Sequence, residues 1–119
     1  ANAIYVSVMF FRGNIALDGH ASWDAHPFNP ANNVNAELAG LNLNAYNDLT
    51  HPSALALQKH YIRHVIDTLN DLDNVIWEIA NEAQPRSYAW QQHLVDYVRD
   101  YESVKPWRHL VGITWSQNV

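Results

Sequence analysis

Cysteine is absent from this 119-residue chain, which excludes disulfides, thiol nucleophiles and thiolate metal sites. Lysine and arginine together number only 7 and nowhere cluster, against 12 aspartates and glutamates. The formal charge of -5 and a pI near 5.7 argue against a nucleic-acid surface and disfavour acidic substrates. Glycine occurs 4 times and never as a loop that cradles phosphate. No apolar run approaches the roughly 20 residues that cross a bilayer, so no membrane partner is expected. The motifs G-x-S-x-G and H-E-x-x-H are missing too, leaving neither a serine elbow nor a metalloprotease helix. No signal peptide is visible, and with Ala1 as the first residue the expectation is a leader or longer precursor that was removed.

What is present suits a folded domain. Hydrophobic residues make up 48% and charged residues 16%, so residues 1–119 read as one globular domain with a real core. The segment Asn74 to Glu82, N-V-I-W-E-I-A-N-E, is short, rich in strand-formers and stops on an Asn-Glu pair. A period of two sets Val75, Trp77 and Ile79 on one face and Ile76, Glu78, Ala80 and Glu82 on the other. A strand apolar on both faces belongs in a covered parallel sheet, and such sheets do their chemistry beyond the carboxyl ends of their strands. Asn81 and Glu82 fall there.

The rest of the chain alternates accordingly. Ala3 to Phe11 is a first strand, followed by a Gly-, Pro- and Asn-containing connection of about forty residues, from Arg12 to Pro52. Pro52 and Ser53 open a helix whose stripe is Gln58, Tyr61, Ile62, Val65, Ile66 and Leu69. Asn70 to Asn74 is a turn and Val75 to Ala80 the second strand. After Pro85, Ser87 caps a second helix with a stripe of Trp90, Leu94, Tyr97, Val98 and Tyr101, and Pro106 ends it. Leu110 to Trp115 is the third strand. The expected class is therefore α/β, with parallel strands joined by helical crossovers.

The segment His60 to Glu82, H-Y-I-R-H-V-I-D-T-L-N-D-L-D-N-V-I-W-E-I-A-N-E, resembles the clan A retaining glycoside hydrolases. The earlier H-P-F-N-P-A-N-N-V-N, His26 to Asn35, is similar to the loop after strand three in cellulase-like and apiosidase-like members. The resemblance runs from about Ala3 to Trp115 and implies strands three to five of a (β/α)8 barrel, a partial TIM-barrel-like unit. It implies that Glu82 is the general acid/base and that Asn81 hydrogen-bonds the sugar 2-hydroxyl. It implies a β-linked carbohydrate substrate, no cofactor or metal, and a secreted or periplasmic setting. The clan's nucleophilic Glu stands on strand seven, which this match lacks. One carboxylate cannot perform the two-step retaining reaction. The expected partner is thus the rest of a longer chain, or further copies in a homo-oligomer that cover the open sheet edges. A non-catalytic carbohydrate-binding or self-assembling module is the alternative.

Other candidates carry two readings each. Flat aromatic faces stack on sugar rings, so Trp23, His26 and Trp115 are candidate subsite walls; equally, they pin a loop or fill a core. The many Asn residues of the long connection suit hydroxyl contacts, but Asx turns explain most of them. Glu78 shares a face with Glu82, but four residues of strand separate their Cα atoms by about 13 Å, beyond a retaining pair. It is read as structural, paired within a full barrel. Asp18, Asp24 and Glu37 have no spacing that recommends them as nucleophile. His60 and His64, at i and i+4, flank a solvated helix face and not a metal.

Overall fold

The computed structural model describes residues 4–13, 15 and 20–114. Strands β1 (Val6–Arg12), β2 (Val75–Asn81) and β3 (Leu110–Gly112) form one parallel sheet in the order β1-β2-β3. A short helix α1 (His20–Asp24) lies in the long connection, α2 (Pro52–Leu69) leads into β2, and α3 (Tyr88–Glu102) leads into β3. Parallel neighbours cannot be joined by a hairpin, which is why each pair is separated by a helix. The class is mixed α/β, as the alternation implies.

Boundaries moved by a few residues, for local reasons. β1 starts at Val6, the register partner of Val75, because the pairing begins where β2 begins. Ile4 and Tyr5 remain 65% and 67% exposed. β2 runs one residue past Ala80, since Asn81 pairs with Arg12. β3 ends at Gly112, and Trp115 lies outside the described residues, as do Ala3 and Asp18. The long connection is not idle: besides α1 it holds 3-10 turns at Ala36–Leu38 and Ala45–Asn47.

Both long helices start as their sequences allow. Pro52 sits in the first turn of α2, where its missing N–H costs nothing, and the His51 side chain accepts from the Ala54 N–H. Ser87 precedes α3 but does not cap it. Its hydroxyl instead donates to the Gln84 carbonyl at 2.7 Å and accepts from the Gln91 side chain at 3.1 Å. On α2 the residues Gln58, Ile62 and Ile66 are buried, whereas Tyr61 at the stripe's edge is 43% exposed.

One sheet face carries the core. Trp77, Ile79, Ile62, Ile66, Leu94 and Val98 are all fully buried, each burial contributing about 1.5–3 kcal/mol. Two buried polar groups tie the layers together. Gln58 donates to the Tyr46 carbonyl at 2.7 Å and accepts from the Trp90 indole at 2.8 Å, which explains an amide in an apolar stripe. Glu102, 2% exposed, accepts from Trp77 Nε1, Asn70 Nδ2, and both the backbone N–H and ring Nδ1 of His109. Burial pushes its carboxyl up, but the His109, Trp77 and Asn70 bonds outweigh that and hold it below the usual range.

The other face is open in its first two rows, while Phe11 and Ala80 farther along it are buried. Register sets Ser7, Ile76 and Leu110 in one row and Met9, Glu78 and Gly112 in the next. Met9 is 44% and Leu110 75% exposed, so apolar surface faces solvent there.

Candidate active site

The carboxyl end of β2 is shaped by two close approaches. The Gly13 N–H donates to the Asn81 carbonyl at 2.9 Å. A Cβ on Gly13 would fall 2.5 Å from that oxygen and 2.6 Å from the Ala83 Cα, so only glycine lets the two chains meet. Ala83 itself is fully buried. Between these fixed points Glu82 leaves the strand with φ 51°, the one non-glycine left-handed residue among those described. That conformation costs a side-chain-bearing residue roughly 1–2 kcal/mol, and strain of this kind concentrates at functional positions. The residue is exposed at the strand end.

Thr114, just beyond β3, holds this turn. Its hydroxyl accepts from the Glu82 N–H at 3.1 Å and lies 2.9 Å from Glu78 Oε1 and 2.8 Å from the Ala80 carbonyl. Glu78 also accepts from the Ser7 hydroxyl at 3.3 Å. Glu78 is thus clasped across the open face by hydroxyls from both flanking segments.

A cleft of about 300 Å³ opens one strand away. It is walled by Phe11, Phe28, Tyr46 and Tyr61, with His26 and Arg12 as its polar members. Arg12 ends β1 and is the register partner of Asn81, so the cleft borders the strand ends from which Glu82 emerges. His26 is half-buried; burial, and then the Arg12 charge, lower its pKa, so the ring is neutral at neutral pH. Its Nδ1 accepts from the Phe28 N–H at 3.1 Å, which leaves the hydrogen on Nε2. Trp23 stacks on the His26 ring at 5.5 Å with planes 19° apart and is only 8% exposed. It supports the wall from behind and does not line the cleft.

No family model, curated protein or solved structure matches this chain.

Of the residues singled out in the sequence, Asn81 and Glu82 stand together at the strand end, and Trp23 and His26 form a stacked pair in the neighbouring loop. Trp115 lies outside the described residues. The Asn side chains of the long loop serve its own backbone: Asn29 bonds to Trp23 and Ala31, Asn33 to Asn35, and Asn42 to Asn44. Among the described residues no group of three His, Asp or Glu side chains could hold a metal, and the exposed His60 ring lies near Arg63. No helix among them is long and apolar enough to cross a membrane. Sequence reasoning missed Tyr46, Tyr61 and Thr114. Tyr61 sits at the rim of the α2 stripe and reads as core. Tyr46 and Thr114 carry no local signal, because their roles come from contacts 32 or more residues away or from a loop whose path the sequence does not give.

Proposed function

We propose that this chain is part of a retaining glycoside hydrolase, built on the strand-three-to-five portion of a (β/α) barrel, and that Glu82 is its general acid/base. The observation that carries the reading is Glu82 itself: an exposed acid, held in a left-handed conformation, at the carboxyl end of the central parallel strand. In the proposed reaction the Glu82 carboxyl gives its proton to the glycosidic oxygen as the bond to the anomeric carbon breaks. The resulting carboxylate then takes a proton from the water that releases the sugar. Asn81 orients the substrate through an amide–hydroxyl hydrogen bond. The aromatic cleft beside the strand ends receives a sugar ring, with the neutral His26 presenting an N–H donor.

The attacking carboxylate must lie about 5–5.5 Å from the donor. Glu78 is assigned a different part, because its carboxylate is engaged by the Ser7 and Thr114 hydroxyls. The nucleophile comes instead from the remainder of a longer chain or from a second copy. Assaying β-linked aryl glycosides with wild type and Glu82→Gln tests the reading. For glycosides with poor leaving groups, hydrolysis that Glu82→Gln abolishes supports it, and equal hydrolysis by both proteins rejects it. A nucleophile from a second copy makes the specific activity rise with protein concentration.

The exposed Met9 and Leu110 favour a second reading, a carbohydrate-binding or self-assembling module whose open sheet face meets another copy. Sedimentation velocity at increasing concentration separates the two: association weakened by Leu110→Lys, with sugar binding but no turnover, identifies the module.

A further inference from the structure

The hydroxyl of Thr114 meets three groups at the strand end. It lies 3.1 Å from the Glu82 nitrogen, 2.9 Å from Glu78 Oε1 and 2.8 Å from the Ala80 carbonyl. A hydroxyl carries one hydrogen and two acceptor sites. The Glu82 N–H is a donor only, so it takes a lone pair, and the single hydrogen of Thr114 is left for Glu78 or Ala80. A carboxylate is the stronger acceptor, and donating to it makes the threonine oxygen a better acceptor in turn. Glu78 is itself fixed by the Ser7 hydroxyl at 3.3 Å from the opposite neighbouring strand. The row Ser7, Glu78, Thr114, Glu82 therefore crosses the sheet from β1 to the segment beyond β3, and its last link holds the one left-handed non-glycine residue described.

We propose that Thr114 is a positioning residue that locks the Glu82 backbone in its outward turn, and that Glu78 acts as the anchor of that lock. The mechanical half of this stands on the hydrogen bonds alone, while its consequence for turnover rests on the reading of Glu82 as the proton donor. Glu78 then has a role that neither a second catalytic carboxylate nor an idle core acid describes: it fixes the hydroxyl that fixes the donor. Thr114 is exposed, so replacing it removes little packing.

The test uses the full chain, 15N-labelled, as wild type, Thr114→Val and Thr114→Ser. Valine keeps the shape and loses the hydroxyl; serine restores it. Loss of one such bond corresponds to a factor of about 5 to 10. Exchange of the Glu82 amide hydrogen is expected to quicken by about that factor in Thr114→Val and to return to the wild-type rate in Thr114→Ser, with Val75 to Ile79 unchanged. Glu78→Gln, which keeps an acceptor but drops the charge, is expected to fall between them. Unaltered Glu82 exchange in Thr114→Val overturns the proposal, as does equal acceleration in valine and serine variants. On aryl glycosides, Thr114→Val is expected to lower kcat about tenfold with KM unchanged at an equal folded fraction by circular dichroism, and Thr114→Ser to restore it, a rescue that simple loss of folded protein does not give. Absence of any Glu82-dependent hydrolysis in the enzyme that carries the nucleophile as well defeats the enzymatic reading, while the exchange rates still decide the lock.

Discussion

Replacing Glu102 with glutamine gives the sharpest test of what holds the helices to the sheet. Oε1 of Glu102 accepts from Asn70 and Trp77 at 2.9 Å each and from His109 Nδ1 at 2.7 Å, while Oε2 accepts from the His109 N–H at 2.9 Å. The other His109 nitrogen faces the Leu72 carbonyl at 2.7 Å, so each ring nitrogen meets an oxygen acceptor. Glutamine matches the shape of this site but not its chemistry. With its oxygen toward Asn70 and Trp77, its NH2 group faces the His109 N–H, donor against donor; flipped, it faces three donors. Losing the charge-assisted bonds to His109 and creating one unpaired donor costs about 3 kcal/mol. That is a large fraction of the roughly 5–15 kcal/mol that stabilises an ordinary domain. With a urea slope near 2 kcal/mol/M, the midpoint falls by roughly 1.5 M. Tryptophan fluorescence is a suitable probe, since Trp77 is itself one of the donors. The pH dependence gives a second check. A carboxyl held below its unfolded value, about 4.3, stabilises the fold above that pH. The stabilisation is lost as pH falls through the lowered native value. Wild type should therefore lose stability steeply on acidification below about pH 4, and Glu102→Gln should lose less. A variant within about 0.5 kcal/mol of wild type at neutral pH, or one with a parallel acid profile, refutes the reasoning.

Three further outcomes follow from the same contacts. Gly13→Ala drives a Cβ into the Asn81 carbonyl and Ala83, and should cost about 2 kcal/mol in thermal unfolding; an unchanged Tm contradicts the close approach. Glu82→Gly relieves the left-handed strain and, after the added freedom of the unfolded chain, should stabilise by about 0.5 kcal/mol; a drop in Tm argues against strain at this position. Gln58→Leu strands the Trp90 indole N–H and should cost about 2 kcal/mol with a changed near-ultraviolet signal; a neutral effect shows that the amide bridge is dispensable.

The architecture was legible because its signals are local. The alternation in Asn74 to Glu82, the helical stripes and the prolines at 52, 85 and 106 place every long element within a few residues. The site was legible only in part. Asn81 and Glu82 announce themselves by ending an apolar strand, but nothing in the string reveals that Glu82 is left-handed. That follows from Gly13, which packs on its neighbours Asn81 and Ala83, and from Thr114, 32 positions on, which bonds its N–H. The cleft was hidden for the same reason: Phe11, His26, Tyr46 and Tyr61 belong to a strand, a loop, a turn and a helix, and only the fold brings them together. Trp23 shows the converse limit. Residue type marks it as a sugar platform, yet packing sets it behind the wall. Glu102 and His109 carry no such signal, because a buried carboxylate–imidazole contact has no periodicity to betray it.

The central claim, that Glu82 delivers a proton to the leaving group, is tested most directly by varying that group. For β-glycosides whose phenol leaving groups span a wide pKa range, kcat/KM should be compared between wild type and Glu82→Gln. A lost acid matters most where the departing oxygen is most basic, by a factor of about 10² to 10⁴. The account predicts that Glu82→Gln nearly abolishes cleavage of the poorest leaving groups and spares the best. An equal loss across the series, or none, contradicts it.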